Sequence, residues 1–452
     1  GVRRRTSVRP SGLLAGLEPI HLRHNLSATS HIMRSHRAVA VLIAAASLET
    51  NGFSWAPNNV RPMTATSRSS LSSTVLPLED LTRLQRQPEL GEDDLYLDGT
   101  RDPPKVGALM KMIPAESFDI DTPTSLLYFF IDLLAVVASM GCLNAVVTSD
   151  SYHALPFYLQ ALEVMPLQIL TGFAMWCMWC IGHDAGHTTV SNERWINRLV
   201  GEVAHSVICL TPFLPWAHSH RRHHVHHNHK DRDYSHQWYV REEKDDLDPV
   251  YQAAHKLRLL QLPFNYLIYL LIGIPDGGHV IFYGRMWEGV SMKQKLDSAI
   301  SVAVSVATAG TLWMNMGTAD FTVVCMVPWM VLSWWLFMVT YLQHHSEDGQ
   351  VFTDDTYTFE RGAFQTVDRS YGNILDNMSH HMMSGHLVHH LFFTKVPHYR
   401  LEAATKALRK NLDESGQGDL YKFIDTPKYN RELLKQWSEN WFFVNESQVV
   451  RE

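Results

Sequence analysis

Much that commonly announces a function is missing from this 452-residue chain. It has no glycine-rich dinucleotide fingerprint and no P-loop, so the backbone turns that cradle nucleotide phosphates are excluded. It also lacks the HPGG motif of a fused cytochrome b5 haem module. A net charge of -7 leaves no electropositive footprint for nucleic acid. Cysteine is scarce: Cys142, Cys177, Cys180, Cys209 and Cys325 all fall in or beside apolar stretches, so no disulfide framework is implied. Cys177 and Cys180 form a CxxC inside an apolar run with no βαβ pattern nearby, which reads as packing rather than redox chemistry.

A strongly apolar average is missing too, and mean hydropathy is slightly negative. The average misleads, because polar ends and a polar central loop dilute four concentrated runs at 125–147, 161–181, 299–316 and 321–342. A bilayer crossing takes about 20 residues, so each run qualifies. The connectors 148–158 and 317–320 contain no Lys or Arg. Arg101, Lys105 and Lys111 precede the first run, and Arg194, Arg198, Arg221, Arg222, Lys230 and Arg232 lie between the second and third. The positive-inside rule then puts both termini and the central loop on one side. Two further apolar stretches, 203–215 and 259–283, are interrupted by Pro212, Pro215, Pro263 and Pro275 and read as interfacial or re-entrant. The expected fold is an all-α integral membrane protein of about four transmembrane helices plus interfacial helices, under a histidine-rich cap facing cytoplasm or stroma. The expected layout is a leader (1–75), a lead-in (76–120), a membrane domain (121–410) and a C-terminal tail (411–452).

What the chain does have is histidine, 26 in all, concentrated in three boxes. His183-x-x-x-His187, His220-x-x-His223-His224 and His386-x-x-His389-His390 each place imidazoles on one helical face, since residues three or four apart are neighbours there. Eight imidazoles exceed the four or so that one zinc uses, so two metals held mainly by nitrogen is the economical reading. Imidazole suits iron, copper, nickel and zinc alike, and the ligands alone do not choose among them. His218, His226, His227, His229 and His236 crowd the second box, and His223, His226 and His227 form a rival HxxHH register. Asp132 and Glu163 lie within apolar runs, where acids usually face the protein interior. The aromatic stripe Trp329, Trp334, Trp335, Phe337 and Tyr341 reads as membrane-helix packing.

The boxes resemble those of the membrane fatty acyl desaturases, the all-histidine di-iron family, and within it the methyl-end group. Ser219-His220-Arg221-Arg222-His223-His224 matches that family's second box and favours this register over its rival. Asp368-Arg369-Ser370-Tyr371-Gly372 is similar to its DRDYG element, with Ser370 departing from the second Asp. His380-His381, Pro397-His398-Tyr399, Leu401, Ala404-Thr405 and Tyr341-Leu342-Gln343-His344 extend the likeness over roughly residues 120–410. The resemblance implies two irons, with His183, His187, His220, His223, His224, His386, His389 and His390 as ligands. It offers His344 as a ninth, with His345 as its competitor. Asp184 is expected to orient an imidazole through that ring's free nitrogen. The implied reaction inserts a double bond into a membrane lipid or acyl substrate, using dioxygen and electrons from a separate protein. That donor is ferredoxin in a plastid or cytochrome b5 in the endoplasmic reticulum. His-Asp-x-Gly-His in the first box and Tyr-x-Leu after Pro397-His398 look like omega-3 enzymes, whereas the second box looks like the omega-6 type. Ala185 replaces a Cys common in the first box. An acyl hydroxylase or conjugase on the same scaffold is the neighbouring alternative. A His-rich metal transporter is the remote one, since it would carry its ligands at mid-membrane.

The leader has an address-like order. Arg34 and Arg37 precede a short apolar run at 38–47, too short to span, and a small-residue cleavage site at 50–52. Phe53 then heads a Ser/Thr-rich stretch with no acid before Glu79. This resembles the two-part plastid address of algae with secondary plastids, so a plastid membrane is expected, with the endoplasmic reticulum as the alternative.

Overall fold

The computed structural model describes residues 102–451 apart from 234, 274–276 and 426–427. The leader, and with it the expected address at 33–75, lies outside the described residues.

Asp121 starts the first long helix, α1 (Thr122–Val147), by accepting the Thr124 backbone N–H at 3.2 Å, with Pro123 in the first turn. Its buried residues, Ser125, Phe129, Asp132, Val136, Ser139, Leu143 and Val147, recur every three or four positions and form a single stripe. Leu127, Phe130, Ile131, Leu134 and Val137 face outward and exposed. An apolar helix bare on so much of its circumference suits a lipid surround rather than water. The second helix, α2 (Phe157–Gly186), begins after Pro156 and is buried all round from Thr171 to Ala185, which makes it the central post of the bundle.

After α2 the chain turns through α3 (Arg194–Gly201) and a π-helical turn (Glu202–Ile208), then bends by 110° into α4 (Phe213–His226). This bent pair occupies the stretch expected to be interfacial or re-entrant. The stretch 259–283 contains only short helices such as Asn265–Leu271.

The third apolar segment, Met292–His344, is 53 residues long. Straight, it would reach about 80 Å, more than twice a hydrocarbon core of about 30 Å. Gly317, at φ 78° and ψ 168°, breaks it. A side chain disfavours that backbone conformation and glycine does not. The break falls near the end of α5 (Met292–Phe321), whose last residues run on through a π-helical turn at Thr322–Met326 into α6 (Val327–His344). Near its start α5 meets the bent pair, where Ser301 bonds Glu202 and accepts the Leu214 N–H at 3.3 Å. Near its end the Cys325 thiol lies 3.9 Å from the Met316 sulfur, in a cluster with Leu143, Val147 and Val164. So α5 runs away from the histidines and α6 returns to them. With α1 and α2, the three long apolar segments thus supply four helical stretches of membrane-crossing length, because the third is broken in two.

The cap is short helices tied by three two-stranded parallel sheets. Strand β1 (Tyr239–Val240) pairs with β5 (Phe443–Val444), and β2 (Val351–Phe352) with β6 (Val449–Val450). The third sheet joins β3 (Val367–Ser370) to β4 (Lys422–Asp425). Each sheet takes one strand from the chain beyond residue 420, so the C-terminal stretch is woven into the cap. Between these strands lie α7 (His386–Phe392), α8 (His398–Glu414) and α9 (Tyr429–Glu439). Trp437 of α9 is fully buried against Phe337 and Tyr341 of α6. The described part of the lead-in, from Asp102, contacts the cap as well: Asp102 pairs with Arg361 at 2.6 Å, and the Val106 N–H reaches Glu360 at 3.0 Å.

Candidate metal centre

Helix ends deliver the histidines. α2 finishes with His183 and places His187 at its C-cap, while α4 carries His220, His223 and His224 on successive turns. α6 ends on His344, and α7 contributes His386, His389 and His390. The first turn of α7 is held by Asp368, whose carboxylate accepts the Leu387 N–H at 2.7 Å and the Tyr421 hydroxyl at 2.5 Å.

Two groups result. His183, His187, His220, His224 and His389 bring one ring nitrogen each to within 4.8 Å of one another. In it the Nε2 of His224 lies 3.0 Å from both His220 Nε2 and His389 Nε2. The second group is a chain of close nitrogens: His223 to His344 at 3.3 Å, His344 to His386 at 3.1 Å and His386 to His390 at 3.2 Å. A metal about 2.1 Å from each nitrogen separates neighbouring donors by about 3.0 Å at right angles and about 3.4 Å in a tetrahedron. The observed spacings fall in that interval.

Burial, and then the neighbouring rings, push His187, His386, His389 and His390 well below the usual imidazole range, so these rings are neutral lone-pair donors. Both ring nitrogens of His187 and the Nδ1 atoms of His183, His224, His344 and His390 are buried without a protein partner. Many neutral imidazoles with orphaned nitrogens form a donor set made for a cation, and the residues fit a histidine-ligated metal site.

The outward nitrogens of two rings in the second group are tied. His223 Nδ1 donates to Asp233 Oδ1 at 2.8 Å and His386 Nδ1 to the Met382 carbonyl at 3.1 Å, which leaves Nε2 facing inward. Burial alone would raise the Asp233 carboxyl, but the His223 and His227 rings hold it well below the usual carboxylate range.

The remaining histidines divide cleanly. His345 sends Nε2 to His236 Nδ1 at 3.3 Å, stacks on Tyr341 at 4.6 Å and joins none of the groups, whereas His344 sits inside one. His218 is spent on the Met286 carbonyl and His229 on Asp354, both at 3.0 Å. His226, which the rival register needs, joins no group, while His220 and His224 do. Asp184 lies between two imidazoles. Its Oδ2 accepts both the His398 N–H, at 2.8 Å, and His398 Nδ1, at 2.9 Å, and its Oδ1 stands 3.7 Å from His183 Nδ1. Asp132 is buried on α1 and bonds His380 at 2.6 Å, whereas Glu163 is exposed. Sequence reasoning did not single out Asp233, and it had His398 only as part of the Pro397-His398-Tyr399 segment. The signal for Asp233, an acid ten residues after a box histidine, carries no periodicity to read.

A cavity of about 50 Å³ lies where the groups meet the bundle. His183, His220, His223, His236, His344 and His386 form one side, and Trp176, Trp179, Leu336 and Val339 of the membrane helices the other. The fatty acid desaturase family signature matches residues 161–422, over half the chain.

The chain belongs to the fatty acid desaturase family.

It is 32% identical over 349 residues to the Delta(12) fatty acid desaturase fat-2 of Caenorhabditis elegans, covering 75% of this chain and 85% of that one. It is 31% identical to the sn-1 acyl-lipid omega-3 desaturase (ferredoxin) of a Nostoc species, over 70% of this chain and 84% of that protein. It is 30% identical to the acyl-lipid omega-3 desaturase (cytochrome b5) of the endoplasmic reticulum in Arabidopsis thaliana, over 74% and 84% respectively. The chain is thus a membrane desaturase, an oxidoreductase, with all three boxes at one end of its helix bundle.

Proposed function

We propose that this desaturase inserts a cis double bond toward the methyl end of a long, already unsaturated acyl chain, with omega-3 the favoured position. The reaction takes one dioxygen, two electrons and two protons, and turns a CH2–CH2 pair into CH=CH with release of two waters. The supporting observation is the shared cavity, bounded by both histidine groups on one side and apolar membrane-helix side chains on the other. In this reading His183, His187, His220, His224 and His389 hold one iron, and His223, His344, His386 and His390 hold a second. When bound, the irons supply the oxidising power that an unactivated methylene demands and redox-inert zinc lacks. The residues' part is to fix that pair against the bundle and keep bulk water out. The apolar side chains on the bundle side suit an acyl chain, whose methylenes prefer apolar surroundings to water by roughly 0.8 kcal/mol each.

The first box and the Tyr399-x-Leu401 segment support omega-3. The likeness to a delta-12 enzyme and the second box support omega-6 as the alternative. Expression in a host fed defined fatty acids decides between them, because double-bond positions in the products differ by three carbons. A product with an added hydroxyl or a conjugated pair would defeat both.

The ferredoxin- and cytochrome b5-dependent relatives support a separate electron donor. We place the enzyme in a plastid membrane, with ferredoxin as donor, on the address-like order of residues 33–75. Fusing those residues to a fluorescent reporter should send it to the plastid, and Phe53→Ala should stall it at the envelope. Delivery to the endoplasmic reticulum, indifferent to Phe53, would overturn the plastid placement and favour cytochrome b5.

A further inference from the structure

The imidazoles assigned to the second group share a pattern wherever a partner is seen. One ring nitrogen is tied outward, Nδ1 of His223 to Asp233 and Nδ1 of His386 to the Met382 carbonyl, and Nε2 is left to face the group. Two more histidines come within reach of this group, His227 and His236, and the pattern separates them. His227 also brings a ring nitrogen near those of His223 and His390, but its Nε2 meets the Thr366 hydroxyl at 3.1 Å, and its Nδ1, without a hydrogen-bond partner, lies 3.7 Å from Asp233. Its place is in the scaffold around Asp233. His236 follows the pattern of a ligand. Its Nδ1 is tied to His345 Nε2 at 3.3 Å, which leaves Nε2 for a metal.

Position agrees. One nitrogen of His236 lies within 4.8 Å of those of His223 and His344, and the ring centroids are 4.7 and 4.6 Å apart. The backbone is held where it must be, because the His236 N–H reaches Asp233 Oδ1 at 3.3 Å, the same oxygen that anchors the His223 ring. One carboxylate therefore sets both histidines. His236 also lines the cavity shared by the two groups, which His227 does not.

We infer that His236 is a tenth imidazole of the metal centre, donating Nε2 to the second metal position beside His223 and His344, with His345 as the residue that orients it. The two positions then carry five imidazoles each. This explains the neighbour of His344: His345 is no rival for the ninth position but the support of a tenth. The inference rests on the di-iron reading above.

The test uses the full-length protein purified in detergent, with iron per chain and the 57Fe Mössbauer spectrum as readouts alongside product formation. The wild type should carry two irons, and fewer would defeat the di-iron reading whatever His236 does. Given two, His236→Ala should fall to about one iron per chain, with the lost spectral component restored by millimolar imidazole. His236→Gln, which keeps bulk and a polar contact to His345, should show the same loss and carries the test if the alanine variant does not accumulate. His227→Ala should keep both irons. Two irons with the wild-type spectrum in both His236 variants would overturn the inference. So would an equal loss in His227→Ala, since the effect would then be general to the loop.

Discussion

The two imidazole groups draw on the same three boxes and are oriented by different forces. The first is built from two i, i+4 pairs, His183/His187 on α2 and His220/His224 on α4, with His389 added from α7. Among the described residues, the Nδ1 atoms of His183 and His224 and both nitrogens of His187 have no hydrogen-bond partner. Packing positions these rings instead: Trp216 stacks on His220 at 4.6 Å and Phe393 on His224 at 4.7 Å. The second group has one such pair, His386/His390, and two single histidines from separate helices, His223 and His344. It is fastened from outside by the buried Asp233 carboxylate and the Met382 carbonyl. Helical periodicity is enough to assemble a group whose rings come in pairs. In the second group hydrogen bonds aim two of the four rings, His223 and His386, while the Nδ1 atoms of His344 and His390 have no partner.

The largest effects should come from the rings themselves and should not distinguish the groups. Replacing His183 or His389 in the first, or His223 in the second, by Ala should abolish desaturation while protein level and membrane insertion persist. Any of these variants that kept more than a few per cent of product would remove that residue from the metal site. His226→Ala and His229→Ala should retain partial activity, because those rings face Tyr357 and Asp354 rather than either group.

The comparison is tested directly one step out from the rings. Asp233→Ala should cost about 10- to 100-fold in metal affinity or activity, the usual price of losing a partner that orients a ligand. Trp216→Leu, which removes a stacked ring but no hydrogen bond, should cost less and should act on the first iron's spectral component. If Trp216→Leu proved the more damaging, or both variants bleached the same component, the division between packed and tethered groups would fail.

How far the sequence revealed this arrangement follows the same division. Boxes, spans and the common side of all three boxes were legible because periodicities of three and four residues, apolar runs of about 20 and missing Lys and Arg are local signals. The hairpin at Gly317 was legible from the short connector. Which imidazole Asp184 would meet was not legible, since its Oδ2 reaches His398, 214 residues away, while its Oδ1 lies 3.7 Å from the adjacent His183. Asp233 and the His236–His345 pair were hidden for a similar reason. Loop contacts have no period, and only the folded chain shows which of the crowded histidines line the shared cavity and which are tied elsewhere. The cap strands were invisible because they are as short as two residues and pair in parallel across large sequence separations.

Gly317 offers a smaller effect that should spare the difference between the groups. Gly317→Val forces a β-branched side chain into a left-handed backbone, at roughly 1–2 kcal/mol. The expected outcome is a lower melting temperature with iron content and product pattern unchanged, since the bend sits at the end of the bundle remote from the histidines. A change in either iron's spectrum would mean that the far end governs the metal centre.

The smallest effect concerns Asp368, which holds the start of α7 and so serves both groups at once. Burial pushes its carboxyl up to about 7, against the opposing pull of the Tyr421 hydroxyl and the Leu387 N–H. An unfolded Asp titrates near 3.9, so between about pH 4 and 7 the folded chain holds a proton that the unfolded chain has lost. Stability from this group is therefore present below the unfolded value and is lost as the pH rises toward 7, flattening above it. Asn cannot titrate, yet it keeps an oxygen for the Leu387 N–H. Melting temperatures from pH 5 to 8 should fall more steeply in the wild type than in Asp368→Asn, by a few degrees across the window. Parallel curves would show that Asp368 is ionised throughout. The charge would then be one more tether that β3 supplies to α7, and through it to both groups.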